Sequence, residues 1–168
     1  MSKCPYKNFK NKVLDFIDVL KTPRDEYSGF APCPFVASEL AQNKLMIDLF
    51  DPTKCSIIDM IKKLDESKYE SALFVQMSNQ AIPAGATFQY QSFINKLLKK
   101  HKYSHYACIC TNPKDDLSVN GFNIRAHSPY FLINIVDKKV LNIAHKNILK
   151  TKYFDKMNEE YLDYLHVK

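Results

Sequence analysis

Residues 44–77 hold the pattern that most limits how this chain can fold. From Lys44 to Phe50 apolar and polar residues alternate, with Leu45, Ile47 and Leu49 on one face, which is the two-residue period of a strand. Asp51-Pro52-Thr53 then supplies a turn and an N-cap, and Ile57, Ile58, Ile61 and Leu64 recur at helical spacing through Glu66. A second strand follows at Ser71-Ala-Leu-Phe-Val-Gln-Met77. A strand, a helix and a strand in that order predict parallel pairing through a crossover.

The flanking segments extend this unit. Phe9, Val13, Phe16, Ile17 and Leu20 lie at helical spacing, with Lys10, Lys12, Asp15 and Asp18 opposite, so residues 7–21 read as an amphipathic helix that Thr22-Pro23 ends. Residues 22–32 read as a loop. Pro34 suits the first position of a short helix that directs Val36 and Leu40 inward and stops near Gln42. After the loop 78–86, Thr87 is a possible cap for a helix carrying Tyr90, Phe93, Ile94, Leu97 and Leu98, and a third strand is expected at 106–111. A turn-rich excursion over 112–121 leads into Asn123 to Tyr130. Phe131–Val136 and Val140–Ala144 read as two strands joined around Asp137-Lys138-Lys139 in a hairpin. Asp155 is expected to cap a last helix with Met157, Tyr161, Leu162 and Leu165 inward. The expected architecture is a single α+β domain over residues 1–168. It is a two-layer sandwich with a mixed sheet of about five strands and helices mostly on one face.

Composition bounds what such a domain does. At 168 residues and 46% hydrophobic content the chain can bury one ordinary core. No stretch reaches the roughly 20 apolar residues of a membrane span, and Met1 to Tyr6 lack the apolar run of a secretory signal. The expectation is a cytoplasmic protein without a membrane partner. The five cysteines, at 4, 33, 55, 108 and 110, form neither a disulfide framework nor a zinc-type pair of Cys-x-x-Cys ends. Cys108 and Cys110 share one face of a strand, where small buried thiols pack. The net charge of +6 is compatible with an anionic partner. The richness in Lys, Asn and Ile, however, matches AT-rich coding, which weakens that argument. The two arginines, Arg24 and Arg125, therefore carry more information than the lysines, because a guanidinium offers a planar donor fork.

Two stretches resemble sites. In Ala31-Pro32-Cys33-Pro34-Phe35 the cysteine precedes a helix start, whose unpaired N–H groups stabilise a thiolate and lower its pKa. The competing reading makes Phe35 an anchor and Cys33 a space-filler. No second cysteine lies two or three residues on, so no local resolving thiol exists. In Asn123-Ile-Arg125-Ala-His127-Ser128-Pro129-Tyr130 a fixed cation, an imidazole, a hydroxyl and a phenol occur within six residues. If that segment is extended, Asn123, Arg125 and His127 share one face. An edge segment with polar residues in water is the plainer alternative.

These residues predict one of two functions. The first is a small enzyme on a small anionic metabolite, with Cys33 as nucleophile or redox thiol, His127 as general acid/base and Arg125 as anion clamp. Asn123, Ser128, Tyr130 and Phe35 would add contacts. The second is a non-enzymatic binder of nucleic acid or an acidic protein through Lys96, Lys99, Lys100, His101, Lys102, Tyr103 and Tyr106. A solvated helix end explains that run equally well. His101 and His105 are four apart, yet Lys102-Tyr103-Ser104 looks like a helix end and no ligand set stands out, so no metal site is assigned. No phosphate loop, dinucleotide fingerprint, Gly-x-Ser-x-Gly elbow or His-Glu-x-x-His occurs. The cofactor and the oligomeric state stay open.

Cys33-Pro34-Phe35 together with Arg125-Ala-His-Ser-Pro-Tyr130 resembles a family of uncharacterised bacterial proteins, a domain of unknown function. That family carries Cys-Pro-Phe and, later, Arg-Ser-Pro-Tyr. The resemblance covers residues 30–150, with a strand, a long helix and a strand between the motifs. It departs by the insertion of Ala126-His127 after Arg125. It implies that the two motifs belong together, and it implies no activity.

Overall fold

The computed structural model describes residues 5–76 and 82–157. Helix α1 spans Pro5–Lys21, α2 Pro34–Ala41, α3 Ile57–Asp65, α4 Thr87–Lys100 and α5 Lys138–Ile148. The strands are β1 Leu45–Phe50, β2 Ser71–Gln76, β3 Tyr106–Thr111 and β4 Phe131–Asp137. The fold is α+β around one mixed sheet in the order β1-β2-β4-β3. As expected, β1 and β2 are parallel and joined through α3. Strand β4 is antiparallel to both β2 and β3.

Helix α3 begins later than Thr53. Its N-cap is Ser56, in a reciprocal capping box with Asp59. Asp51 instead closes the preceding turn by accepting from the Thr53 backbone and hydroxyl, which holds its carboxyl down at about 2. The expected cap at Thr87 is also displaced: Thr87 is the buried first residue of α4.

Two further expectations need correction. Val140–Ala144 is not a strand, so the sheet has four strands among the described residues and the hairpin is absent. The Asp137 side chain accepts from the Lys139 amide at 2.6 Å and caps a helix in place of turning the chain. Val140, Leu141, Ala144 and Ile148 then fall on one helical face. Val140–Ala144, apolar except at Asn142, is too short to separate the two periods; the continuation to Ile148 decides it.

Helices also lie on both faces of the sheet, not mostly on one. Ile57, Met60, Ile61 and Leu64 of α3 and Ile94 and Leu98 of α4 pack on Met46, Phe74, Cys108, Ile133 and Ile135. Val13, Phe16 and Ile17 of α1 and Val36 of α2 pack on Leu73, Val75 and Leu132. Central strands covered twice must be apolar on both sides, and Ala72–Val75 and Phe131–Ile133 are. The expected last helix with Tyr161, Leu162 and Leu165 lies outside the described residues; up to Met157 the chain forms turns.

Strand β3 is an edge, and α4 covers its outer backbone with side-chain amides. Asn95 accepts from the Cys108 amide at 3.0 Å and donates to the Cys108 carbonyl at 3.1 Å. Gln91 accepts from the Cys110 amide at 2.9 Å. These bonds stand in for a missing neighbour strand and block edge-to-edge pairing. Replacing Asn95 by Ala should therefore cost about 1–3 kcal/mol in urea unfolding and promote self-association on size-exclusion chromatography. Unchanged stability together with an unchanged elution volume would contradict this role.

Candidate functional site

The α1/α2 side of the sheet is only partly covered. Helices α1 and α2 sit over β1, β2 and the start of β4, while α5 approaches from the other side. Between them lies a cavity of about 440 Å3. Its floor is Leu73, Ile109, Leu132, Asn134 and Val136, and its walls come from Phe16, Val36, Ala144, Tyr153 and Phe154 among others. The volume falls within the usual range of small-molecule sites. Tyr153 fixes one wall, because its hydroxyl donates to the Pro32 carbonyl at 2.6 Å and ties the C-terminal turns to the segment before α2.

Cys33, Phe35 and Arg125 all line this cavity, so the structure brings parts of the two motif stretches to one place. The Cys33 amide donates to the Leu20 carbonyl at 2.9 Å, which sets the entry of α2 against the end of α1. The expected activation of the thiol is not found. Burial pushes the Cys33 pKa up, and the Val36 and Phe35 amides at the helix start offset only part of that rise. The desolvation of a half-buried thiol on an apolar wall outweighs two helix-end amides.

Arg125 differs from its expected role as well. Its Nη1 donates to Asp115 Oδ2 at 2.9 Å, with side-chain exposures of only 13% and 8%. Asp115 also accepts from the Gly85 amide at 3.1 Å, and Asn112 donates to the Ile82 and Pro83 carbonyls at 3.2 and 3.3 Å. The 112–125 excursion is thus fastened to the 82–86 segment, with the guanidinium charge balanced by a carboxylate. Breaking such a buried pair is costly because it strands a charge.

The segment from Asn123 to Tyr130 is not extended. Arg125–His127 form a short 3-10 turn, capped by Asn123 Oδ1, which accepts from the Arg125 amide at 3.0 Å and the Ala126 amide at 3.3 Å. The curvature sends Arg125 and His127 to different surroundings. His127 is exposed, stacks on Phe122 at 5.1 Å, and borders a separate shallow depression with Lys12, Asp15 and Pro129. Arg24 lies 3.6 Å from the centre of the same Phe122 ring. Ser128 is buried and donates to the Tyr130 carbonyl at 2.7 Å, while Tyr130 packs in the apolar cluster beneath α1. Cys33 and His127 therefore line different depressions.

Within the lysine-rich run the two tyrosines are turned inward, whereas Phe93, one turn before Lys96 on α4, is exposed. Tyr106 is buried and Tyr103 packs against the core, leaving Lys96, Lys99, Lys100, His101 and Lys102 as an exposed helix end. His101 caps α4, whereas His105 pairs with Asp65 at 3.0 Å, so the two imidazoles do not share a helix face. Among the described residues no group of three or more His, Cys, Asp or Glu could hold a metal ion. Cys108 and Cys110 pack under α4 with their Sγ atoms 3.6 Å apart.

Sequence reasoning missed Asn134, Glu39 and His145, which also line the cavity. Asn134 had a signal, as the one polar residue inside the apolar run Phe131–Val136. Its Oδ1 is buried with no hydrogen-bond partner among the described residues. Glu39 is the one charged residue of α2, and His145 became visible only once 138–148 was a helix.

The Cys33 thiol should alkylate slowly at neutral pH, with a rate profile whose midpoint lies above the ordinary thiol range. A midpoint below about 8.5 in iodoacetamide kinetics would restore the activated-thiol reading. No family model matches the chain, and no curated protein or solved structure matches it either.

Proposed function

We propose that this protein binds a small, largely apolar molecule in the cavity between α1/α2 and α5, using the Asn134 amide as its polar contact. The observation that carries the reading is the Asn134 Oδ1, buried on the cavity floor without a partner among the described residues. An unsatisfied buried acceptor costs about 1–3 kcal/mol, and a folded protein retains that cost where it serves a purpose. The terminal torsion of asparagine is soft, so rotation about it can turn the oxygen toward a ligand, and a half-turn puts the nitrogen in its place. The surrounding apolar floor supplies non-directional binding, and the amide supplies orientation.

This reading keeps Cys33, Phe35 and Arg125 at the site and changes their work. Phe35 and the neutral thiol become wall contacts, and Arg125, paired to Asp115, holds the rim in shape. Catalysis by a Cys33 and His127 pair has no support from their placement on separate depressions. The lysines of 96–102 remain a solvated helix end.

The test uses 1-hexanol as an apolar probe bearing one hydroxyl, titrated into the isotopically labelled full chain. The expected result is saturable shifts at Leu73, Leu132 and the Asn134 side-chain amide, with a millimolar or tighter constant. Shifts scattered over the surface, or none at the Asn134 amide, would defeat the proposal.

A further inference from the structure

The charges around the cavity select among ligands. The acidic and basic side chains among the lining residues are Glu39, Arg125 and His145. Arg125 is balanced by Asp115 at 2.9 Å. His145 sits edge-on to Phe154, with ring centres 6.4 Å apart. Glu39 is different. Its Oε2 accepts from the Ser71 hydroxyl at 2.8 Å, and Ser71 is only 1% exposed. No Lys, Arg or His among the described residues lies within ion-pair distance of its carboxylate. Lys44 feels the charge of Glu39 but is held by Glu70 at 2.7 Å. Among the described residues, Lys44, Glu70 and Glu39 together leave one negative charge uncompensated on the cavity wall.

The position of that charge follows from the strand register. Ser71 pairs with Val136 and Leu73 with Asn134, so Ser71 and Asn134 are diagonal neighbours on one face of the β2/β4 ladder. The Glu39 carboxylate, held by Ser71, and the Asn134 amide therefore belong to the same end of the floor. Arg125 belongs to the loop that enters β4 at Phe131, which pairs with Gln76 at the far end of β2. From Ser71 to Val75 is about 13 Å along the strand. The cavity thus has an anionic, acceptor-rich end and a charge-balanced end, with apolar side chains between.

We propose that the ligand is an amphiphilic amine. Its ammonium pairs with the Glu39 oxygen that Ser71 leaves unused, and its apolar body lies over Leu73, Leu132, Val136 and Ile109. An ammonium donates up to three hydrogen bonds, so it can serve Glu39 and Asn134 together. A carboxylate or phosphate placed there would face Glu39 with no cation among the described residues paired to that carboxylate. The proposal rests on the reading of the cavity as a ligand site and adds the sign of the ligand's charge.

The experiment compares 1-aminohexane, 1-hexanol and hexanoate, matched in chain length, against the full chain at neutral pH and low salt, and repeats the series with Glu39→Gln. The amine should bind about tenfold more tightly than the alcohol, in keeping with a charge-assisted hydrogen bond, and hexanoate should bind most weakly. Glutamine can still accept from Ser71, and this variant should bring amine and alcohol to parity. Equal binding of the three probes, a preference for hexanoate, or an amine preference that survives Glu39→Gln would overturn the charge assignment while leaving the cavity as a binding site. If none of the probes shifts cavity residues, both readings fall together.

Discussion

Strand β4 is the member on which the rest of the fold depends. It hydrogen-bonds antiparallel to β2 on one side and β3 on the other, so within the sheet the parallel pair and the edge strand are joined through it. Its residues alternate between the two packing faces, with Phe131, Ile133 and Ile135 under α3 and α4 and Leu132 under α1. Asn134 interrupts that apolar run on the second face. A polar residue in a central strand with an acceptor left unpaired opposes stability, while its neighbours on the strand all favour it. The cavity lies over that residue.

Each boundary of the cavity traces to a local cause. Thr22-Pro23 ends the first helix, and the Cys33 amide is then fixed to the Leu20 carbonyl, placing α2 beside α1. Asp137 caps α5 directly at the end of β4, so the chain leaves the sheet as a helix and cannot add a fifth strand beside β3. The free side of β3 is closed by Asn95 and Gln91 from the opposite face. Among the described residues no fifth strand extends the sheet, and the floor around Asn134 lies between α1/α2 and α5. Arg125 and Asp115 then lock the loops at the end where β2 and β3 finish and β4 begins.

Much of this was legible in the residues. The strand, helix and strand of 44–77 have unambiguous periods, and the parallel pair follows. The double coverage of the sheet could also have been read, because Ala72–Val75 and Phe131–Ile133 are continuous apolar runs and such strands are buried twice. What could not be read was the choice at Val140–Ala144, which is too short to separate the strand and helix periods and where a capping aspartate decides. The site suffered from the same limit. A row of polar residues from Asn123 to His127 looks like one face when taken as extended, but the 3-10 turn divides Arg125 from His127. Proximity in sequence favoured His127, whereas the fold brings His145 and Glu39 to Cys33's cavity.

The helix-start argument for Cys33 shows how two correct effects compete. Backbone amides at the start of α2 do favour a thiolate, but an apolar wall disfavours it more strongly. The same weighing explains Arg125, whose charge is spent on Asp115 and whose value lies in rigidity. The account that remains rests on a cavity preserved at the expense of stability around one amide. Its most direct test is the urea unfolding free energy of Asn134→Leu, which removes the unpaired amide and extends the apolar floor. A gain of about 1–2 kcal/mol is predicted, since the orphaned group no longer has to be buried. A loss of similar size would mean that Asn134 stabilises the fold, and the cavity would lose its claim to be a site.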